Sequence, residues 1–346
     1  MAPVAKELKR APGVEARVCV TAQHRQMLDQ VLNLFDIQPD IDLDLMRENQ
    51  SLADLSAAIF TGLDPVLEKL KPDWVLVQGD TTTVAITALL AYYRRIRVGH
   101  VEAGLRTHDK WQPFPEEINR RVAGVTADLH FAPTEWSRQN LLREGVPDSA
   151  IVVTGNPVID ALQVVARQAE PKEVTRLLQQ LNIACHCEEP RNGDEAISSC
   201  AALKELSGRG DVEIVYPVHL NPNVQEPVYR LLGDAPHVTL LPPLDYLPLV
   251  HLLKRAAIVL TDSGGIQEEA PAFGVPALVL REVTERPEGV EAGVLKLVGT
   301  DSRLIVQEAN RLLDDAGAYA AMARAVNPFG DGHAAERIVQ ALMDYG

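Results

Sequence analysis

The clearest chemical pattern in the chain is a glycine-rich turn in the segment Thr261–Ala270, directly after an apolar run. Ser263, Gly264 and Gly265 fall where a strand would end and a helix begin. Backbone N–H groups at a helix start are unpaired and lie at the positive end of the dipole, so they favour a phosphate. The same pattern is typical of an ordinary serine N-cap, and on its own it leaves both interpretations open.

Two acidic residues follow apolar runs elsewhere in the chain. Asp80 comes after the run Trp74–Gln78, and Glu102 comes after Arg97–His100. The carboxyl ends of neighbouring parallel strands meet at one sheet edge, so we expect these two side chains to lie close together. A carboxylate there can act as a base or bind a hydroxyl group, although a helix cap explains Asp80 equally well.

Further charged residues are predicted at the same edge. Glu116 and Arg120 are four residues apart and share a helix face near its start, and Arg106 follows Glu102 closely. Carboxylates in different environments can supply both an acid and a base near neutral pH. For Glu116 and Arg120 alone, an exposed ion pair is the simpler interpretation.

Histidines and cysteines give weaker signals. His24 and His219 each follow a predicted strand, where a hydrogen-bonded structural histidine is the commoner case. The cluster Cys185–Cys187 with Cys200 invites a zinc interpretation, but its spacing is not that of the usual zinc knuckles. We therefore predict reduced thiols that bind no metal.

Composition excludes several classes of protein. The net charge of −15 disfavours general binding to nucleic acid or to anionic membranes. No run approaches the roughly 18 to 20 apolar residues of a membrane helix, and the first residues lack a signal-peptide core. We expect a cytoplasmic protein without nucleic-acid or membrane partners.

Short apolar runs alternate with segments of helical periodicity along the chain. Strand–helix–strand order predicts right-handed βαβ units and parallel sheets covered on both faces. The strands form two groups separated by a less regular stretch at about 165–210. We therefore predict an α/β protein with two Rossmann-like doubly wound domains and a ligand in the cleft between them. The boundaries are 1–160 and 161–330, followed by a C-terminal helix over 331–346.

The chain resembles the bacterial non-hydrolysing UDP-N-acetylglucosamine 2-epimerases. The matching segments lie in the family's order at 22–37 (AQHRQMLDQVLNLFDI), 72–83 (PDWVLVQGDTTT), 99–107 (GHVEAGLRT), 113–124 (PFPEEINRRVAG), 153–162 (VTGNPVIDAL), 215–228 (VYPVHLNPNVQEPV), 260–293 (LTDSGGIQEEAPAFGVPALVLREVTERPEGVEAG) and 327–342 (NPFGDGHAAERIVQAL).

This resemblance implies a glycosyltransferase-B-type fold in which the C-terminal domain binds UDP. It implies an isomerase that interconverts UDP-GlcNAc and UDP-ManNAc for cell-envelope polysaccharides. The C2 proton is removed and UDP is expelled to leave a glycal, and both are then added back. The family requires no cofactor or metal for this chemistry and is typically homodimeric.

The resemblance also implies roles for residues that match the family's motifs. The catalytic residues would be Asp80, Glu102, Glu116 and His186. The residues that bind UDP would be Ser263, Gly264, Gly265, Glu269, Arg120 and Leu249. A second, regulatory UDP-GlcNAc would be bound by Gln23, His24, Gln26 and His219.

Two departures from the family pattern predict local disruption. Members begin with a strand and a Gly-Thr-Arg-Pro-Glu turn, whereas Met1–Val4 resembles the helix that follows them. Without that central strand, the neighbouring strands would have unpaired edges. Over 182–200, His186 is the equivalent of the family's histidine, but Cys187 replaces an arginine and most of the apolar strand is absent. The first strand of each domain is therefore predicted to be disrupted.

Three other functions compete with epimerisation. A hydrolysing relative would release ManNAc and UDP, and a catalytically impaired remnant would bind nucleotide sugar without turnover. A glycosyltransferase is the weaker alternative, because three carboxylates suit proton transfer at C2 better than sugar transfer.

Overall fold

A computed structural model describes residues 1–21, 25–45, 47, 50–181, 184–187 and 193–345, with the backbone alone at 26–27, 184–187 and 193–198. The described elements, in chain order, are α1 Ala2–Arg10, β1 Cys19–Val20, α2 Arg25–Leu34, β2 Ile41–Asp42, α3 Leu52–Leu70, β3 Trp74–Gln78, α4 Thr82–Tyr93, β4 Arg97–Val101, α5 Glu116–Thr126, β5 Leu129–Ala132, α6 Glu135–Arg143, a 3-10 turn Asp148–Ala150, β6 Ile151–Val153, α7 Pro157–Ala166, α8 Lys172–Gln180, β7 Ala184–Cys187, α9 Gly193–Ser207, β8 Glu213–Pro217, α10 Pro222–Leu232, β9 Val238–Leu241, α11 Tyr246–Leu253, β10 Val259–Thr261, α12 Gly264–Ala272, β11 Ala277–Val279, α13 Pro287–Glu291, β12 Leu295–Leu297, α14 Ser302–Asp314, α15 Ala316–Ala323 and α16 Ala334–Asp344.

The chain divides into two compact units. Unit 1 comprises Met1–Ala161 together with Phe329–Gly346, and unit 2 comprises Leu162–Pro328. The terminal segment, which the sequence presented as a separate helix, is therefore part of unit 1. Both units alternate strands and helices around parallel sheets. Two such α/β units are the components of a glycosyltransferase-B-type fold, which confirms the predicted fold class.

Unit 1 contains a four-stranded parallel sheet in the order β3-β4-β5-β6 and a separate parallel pair, β1-β2. One face of the larger sheet packs on α1 and α16 through a cluster that includes Val4, Phe131 and Ile338. The other face packs on α4 and α5 through Val77, Ala88 and other apolar side chains. Among the described residues, β1 and β3 do not pair with each other.

Local sequence explains where the helices of unit 1 begin. Thr81 caps α4, because its side-chain oxygen accepts a hydrogen bond from the Val84 N–H at 3.4 Å. Thr134 caps α6 in the same way through the Ser137 N–H. These caps start each helix directly after a strand, so the carboxyl ends of β3 and β5 lie next to helix N-termini.

Unit 2 is built on one six-stranded parallel sheet in the order β12-β11-β10-β7-β8-β9. The chain runs outward from β7 to β9 and then returns to the other side of β7 with β10. This is the doubly wound order of a dinucleotide-binding fold, with its switch point between β7 and β10. Ligands of such sheets bind outside the carboxyl ends of the strands at that point.

One prediction about unit 2 is wrong. The sequence indicated a disrupted first strand over 182–200, yet Ala184–Cys187 forms β7 at the centre of the sheet. It pairs with β8 on one side and with β10 on the other. His186 lies opposite Val215 of β8 and Val259 of β10. The segment that follows forms α9, whose buried Cys200 lies in the core. Four residues are sufficient here, because β8 and β10 supply ladder hydrogen bonds on both sides.

Candidate active site

Asp80 lies directly after β3 and is held by an arginine of α5. The Arg120 guanidinium donates to Asp80 Oδ2 from Nε at 3.0 Å and from Nη2 at 2.6 Å. Arg120 is buried and also contacts Glu117, at 3.3 Å from Nη1. Because both bonds to Asp80 end on Oδ2, the other oxygen of the carboxylate can accept a proton. The structure thus places Arg120 in unit 1 beside a candidate catalytic residue, whereas the sequence grouped it with the residues that bind UDP.

Glu102 follows β4 in a backbone conformation that is uncommon for its residue type. Its φ is 64°, in the left-handed region where residues other than glycine are disfavoured. Gln78 Nε2 donates to Glu102 Oε2 at 3.3 Å. Gly79 lies beside the same oxygen, since a Cβ there would stand 3.6 Å from Glu102 Oε2. Backbone strain of this kind concentrates at functional sites, so it supports the assignment of Glu102 as a candidate.

Glu116 is the first residue of α5 and is half-buried. Its Oε2 atom is buried and has no hydrogen-bond partner among the described residues. A buried carboxylate oxygen in that condition is costly unless a ligand or a proton completes its bonding. The structure therefore shows two bonded pairs at neighbouring strand ends, Asp80 with Arg120 and Gln78 with Glu102. Glu116 lies on the helix that carries Arg120.

Arg106 behaves differently from the prediction. It is buried, and its guanidinium donates to both oxygens of Glu144 at 2.9 and 2.7 Å. Its remaining described bond is to the carbonyl of Leu105. This bidentate pair ties the segment after β4 to the end of α6. Arg106 is thus a structural cation of unit 1, and Arg120 is the arginine that contacts a candidate catalytic carboxylate.

In unit 2, the glycine-rich turn lies at the switch point of the sheet. Ser263 is the N-cap of α12, but its side chain makes no capping hydrogen bond. The Ser263 N–H donates to Thr261 Oγ1 at 3.0 Å, which shapes the turn. Around Gly265 the space is open, because the nearest atom to a Cβ there is Ser263 Oγ at 4.0 Å. The turn therefore has the features of an anion-binding helix N-terminus.

Arg286 is a candidate that the sequence did not single out. It is buried, and a Cβ at Gly264 would stand 2.7 Å from its Nη1 atom. Glu268 accepts from Arg286 Nε at 2.6 Å, and Glu285 accepts from Nη1 at 2.6 Å. The position between β11 and α13 could have signalled it, since charged residues at a strand's carboxyl end are site candidates in such sheets.

Glu269 is buried in the second turn of α12, next to Glu268, which is also buried. Burial raises the pKa of Glu269 to about 7, and a hydrogen bond from Tyr246 opposes that rise. Tyr246 Oη donates to Glu269 Oε1 at 2.7 Å, and burial together with Glu269 raises the pKa of the phenol well above its ordinary value. Leu249 is half-buried one turn further along the same helix, α11. The sequence missed Tyr246, which connects α11 to α12.

The remaining candidates form no described cluster. The backbone of His186 lies in β7 at the switch point, and its side chain is outside the described residues. His219 is exposed after β8, and its Nδ1 accepts from the Asn221 N–H at 3.1 Å. Gln23 and His24 lie outside the described residues, and for Gln26 only the backbone in α2 is described.

Among the described residues, no group of three or more acidic, histidine or cysteine side chains could hold a metal ion. The side chains of Cys185, His186 and Cys187 lie outside the described residues. No helix within the same ranges is both long and apolar enough to cross a membrane.

Comparison with known proteins identifies the family. Residues 6–343 match the family described as UDP-N-acetylglucosamine 2-epimerase. A UDP-N-acetylglucosamine 2-epimerase of Salmonella typhimurium is 54% identical over 359 residues, covering 100% of this chain and 95% of that protein. The crystal structure of UDP-GlcNAc 2-epimerase from Neisseria meningitidis bound to UDP-GlcNAc has a TM-score of 0.94 and 44% identity, covering 99% of this chain and 96% of that one. An S. aureus protein solved with UDP has a TM-score of 0.93 at 44% identity, covering 100% and 92% of the two chains. The chain therefore belongs to the UDP-N-acetylglucosamine 2-epimerase family.

Proposed function

We propose that this chain is a non-hydrolysing epimerase that interconverts UDP-GlcNAc and UDP-ManNAc. The observation that carries the proposal is the set of carboxylates in unit 1, Asp80, Glu102 and Glu116. One is fixed by a buried arginine, one has a strained backbone and one has a buried oxygen without a partner. Proton removal and proton return at one carbon require such groups in unlike environments.

Unit 2 binds the uridine diphosphate part of the substrate in this proposal. The N-terminal turn of α12, from Ser263 to Gly265, donates hydrogen bonds to the diphosphate, and Arg286 adds positive charge beside Gly264. Glu269 accepts hydrogen bonds from the ribose, and Leu249 contacts the uracil. When the bond from C1 to UDP breaks, negative charge develops on the diphosphate, and these donors stabilise it.

Unit 1 carries out the proton transfers. A carboxylate takes the C2 proton while the C1–O bond breaks, so that a C1=C2 double bond forms and UDP leaves as an anion. Return of a proton to the opposite face of C2 and of UDP to C1 gives the epimer. We assign this work to Asp80, Glu102 and Glu116, with His186 of unit 2 as a further candidate.

Product analysis tests the proposal. Purified protein is incubated with UDP-GlcNAc, and the products are followed by proton NMR. We expect a mixture of UDP-GlcNAc and UDP-ManNAc that is the same from either starting compound. Free ManNAc with equimolar UDP would instead support the hydrolysing reaction. Nucleotide binding without any product would support a remnant that binds nucleotide sugar.

We also propose that a second UDP-GlcNAc molecule regulates the enzyme through Gln23, His24, Gln26 and His219. The support is the match of these positions to the family's regulatory residues, together with the exposure of His219 after β8. A sigmoidal dependence of the rate on UDP-GlcNAc is expected. Substitution His219→Ala should make that dependence hyperbolic, and a hyperbolic wild-type curve would contradict the proposal.

The protein is further proposed to be a homodimer that uses an apolar surface of unit 1. Trp111, Phe114, Ile118 and Val125 are exposed by 64, 58, 42 and 84%, and the first two rings stack at 5.9 Å. Exposed apolar patches of this kind are typical of interfaces. Light scattering after size exclusion should give the mass of a dimer for wild type and of a monomer for Val125→Glu. A monomeric wild type would contradict this assembly.

A further inference from the structure

The peptide group between Gly79 and Asp80 is fixed by strand β4. The Gly79 N–H donates to the Val101 carbonyl at 3.1 Å, and the Gly79 carbonyl lies 2.8 Å from Nε2 of His100. Gly79 has a φ of 83°, a conformation that glycine adopts without strain. Gly79, the residue before Asp80, is therefore bonded to β4 through both its N–H and its carbonyl group.

The contact between His100 Nε2 and the Gly79 carbonyl determines which ring nitrogen of His100 carries the hydrogen. A carbonyl oxygen only accepts hydrogen bonds, so Nε2 must carry the hydrogen. Burial, and to a smaller extent Arg106 and Arg120, lowers the pKa of His100 to about 4. The ring is thus neutral near pH 7, and its Nδ1 is an unprotonated acceptor. That atom is buried, and no described residue forms a hydrogen bond with it.

The peptide group on the other side of Asp80 is fixed from α5. Asn119 Nδ2 donates to the Asp80 carbonyl at 2.9 Å, and Asn119 is buried. Asn119 directly precedes Arg120, which holds the Asp80 carboxylate. Both peptide groups that flank Asp80 are thereby bonded to side chains. His100 belongs to β4, which Glu102 directly follows, and Asn119 belongs to α5, which begins with Glu116.

We propose that His100 and Asn119 are positioning residues for Asp80, and this inference rests on the proposed function. A buried histidine with an orphaned Nδ1 is a poor choice for stability alone, because an unsatisfied buried acceptor is costly. Its Nε2 bond is what orients the turn that carries the carboxylate. Catalytic carboxylates need such support, since a displacement of about 1 Å can lower a rate roughly 100-fold.

His130 provides a matched control. It lies on β5 in register with His100, it is also buried, and burial likewise lowers its pKa to about 4. Its Nδ1 is also buried and has no hydrogen-bond partner within the described part of the chain. No described hydrogen bond connects it to the peptide groups that flank Asp80. A substitution at His130 therefore reproduces the loss of a buried imidazole without the loss of the contact to Gly79.

The test compares His100→Leu, His100→Gln, His130→Leu and Asn119→Asp. Deuterium exchange at C2 of UDP-GlcNAc gives kcat and KM, and calorimetry gives the Kd of UDP. We expect His100→Leu to lower kcat about 10- to 100-fold with KM and the UDP Kd unchanged. His100→Gln, which keeps a donor, should recover most of the rate, and His130→Leu should remain close to wild type. Asn119→Asp keeps the shape but loses the donor, so it should lower kcat even if His100→Leu does not fold.

The outcomes separate this inference from the proposed function. A wild type that exchanges no deuterium at C2 overturns the proposed function and the inference with it. An active wild type with full kcat in both His100→Leu and Asn119→Asp overturns the inference alone. Equal losses in His100→Leu and His130→Leu also overturn it, because they would indicate a general need for a packed core.

Discussion

The candidate residues of the two units are held in different ways. In unit 1 the groups are carboxylates at strand ends and a helix start, and side chains such as Arg120 and Gln78 orient them. In unit 2 the main groups are backbone N–H donors of α12, together with the buried side chains of Arg286 and Glu269. Proton transfer needs groups that change charge, whereas diphosphate binding needs fixed positive potential. The comparison indicates that one unit is suited to chemistry and the other to binding.

The largest expected effect is on chemistry in unit 1. Asp80→Asn, Glu102→Gln and Glu116→Gln should each lower the rate at C2 by roughly 100- to 10,000-fold, because each removes a group that can transfer a proton. The affinity for UDP should be unchanged, since the proposed function assigns that binding to unit 2. Steady-state kinetics and calorimetry check both quantities. Glu135→Gln is the control, because it removes an exposed carboxylate of α6 in the same unit. Loss of UDP affinity in the three variants would contradict the division of labour.

The next largest effect is on stability and UDP affinity in unit 2. Gly264→Ala places a Cβ 2.7 Å from Arg286 Nη1, and that side chain is pinned by Glu268 and Glu285. We expect a loss of about 1 to 3 kcal/mol in stability and a weaker affinity for UDP. Gly265→Ala meets open space, so its stability should stay equal or rise by up to about 1 kcal/mol. Thermal unfolding of both variants is the measurement, and equal melting temperatures would contradict the packing argument.

A third effect is a pH dependence in unit 2. The pKa of Glu269 is raised from 4.5 to about 7, so between these values the folded protein keeps a proton that the unfolded chain has released. Stability should therefore fall as pH rises through that window, by an amount on the order of 3 kcal/mol. Glu269→Gln removes the titration and should flatten the dependence. Unfolding of wild type and Glu269→Gln in urea at about pH 5 and pH 8 checks this. Parallel pH dependences for the two proteins would refute it.

The smallest effect concerns Tyr246. Its hydrogen bond lowers the pKa of Glu269, so Tyr246→Phe should raise that pKa further and extend the loss of stability to higher pH. Removing one hydrogen bond to a carboxyl group should change the UDP affinity by about 1 kcal/mol or less. The same urea series and a UDP titration measure both. An unchanged pH window would show that the phenol does not influence Glu269.

The sequence predicted the parts of the fold that periodicity encodes. The apolar runs at 74–78 and 97–100 became β3 and β4, and the glycine-rich turn at Ser263 became the start of α12. β7 was missed because its letters, Ala-Cys-His-Cys, carry no strand pattern, and its position is specified by β8 and β10 on either side. Tertiary pairing overrides weak local propensity in such a case.

The candidate site could be predicted only as far as strand ends. Asp80 and Glu102 follow strands, so their neighbourhood could be expected from topology alone. The partner of Arg120 could not be predicted, because the choice between Glu116, Glu117 and Asp80 depends on side-chain geometry. Arg120 and Asp80 are 40 residues apart in the chain. Arg286 and Tyr246 were missed for the same reason, since their roles arise from contacts with α12 rather than from a motif.

The most direct measurement is incubation of the wild-type protein with UDP-GlcNAc in heavy water, followed by mass spectrometry of the recovered nucleotide sugars. The proposal predicts one deuterium at C2 in both UDP-GlcNAc and UDP-ManNAc, and no deuterium in either compound with Glu102→Gln. UDP-GlcNAc recovered without deuterium, from protein that binds UDP, would contradict the claim that the carboxylates of unit 1 transfer the C2 proton.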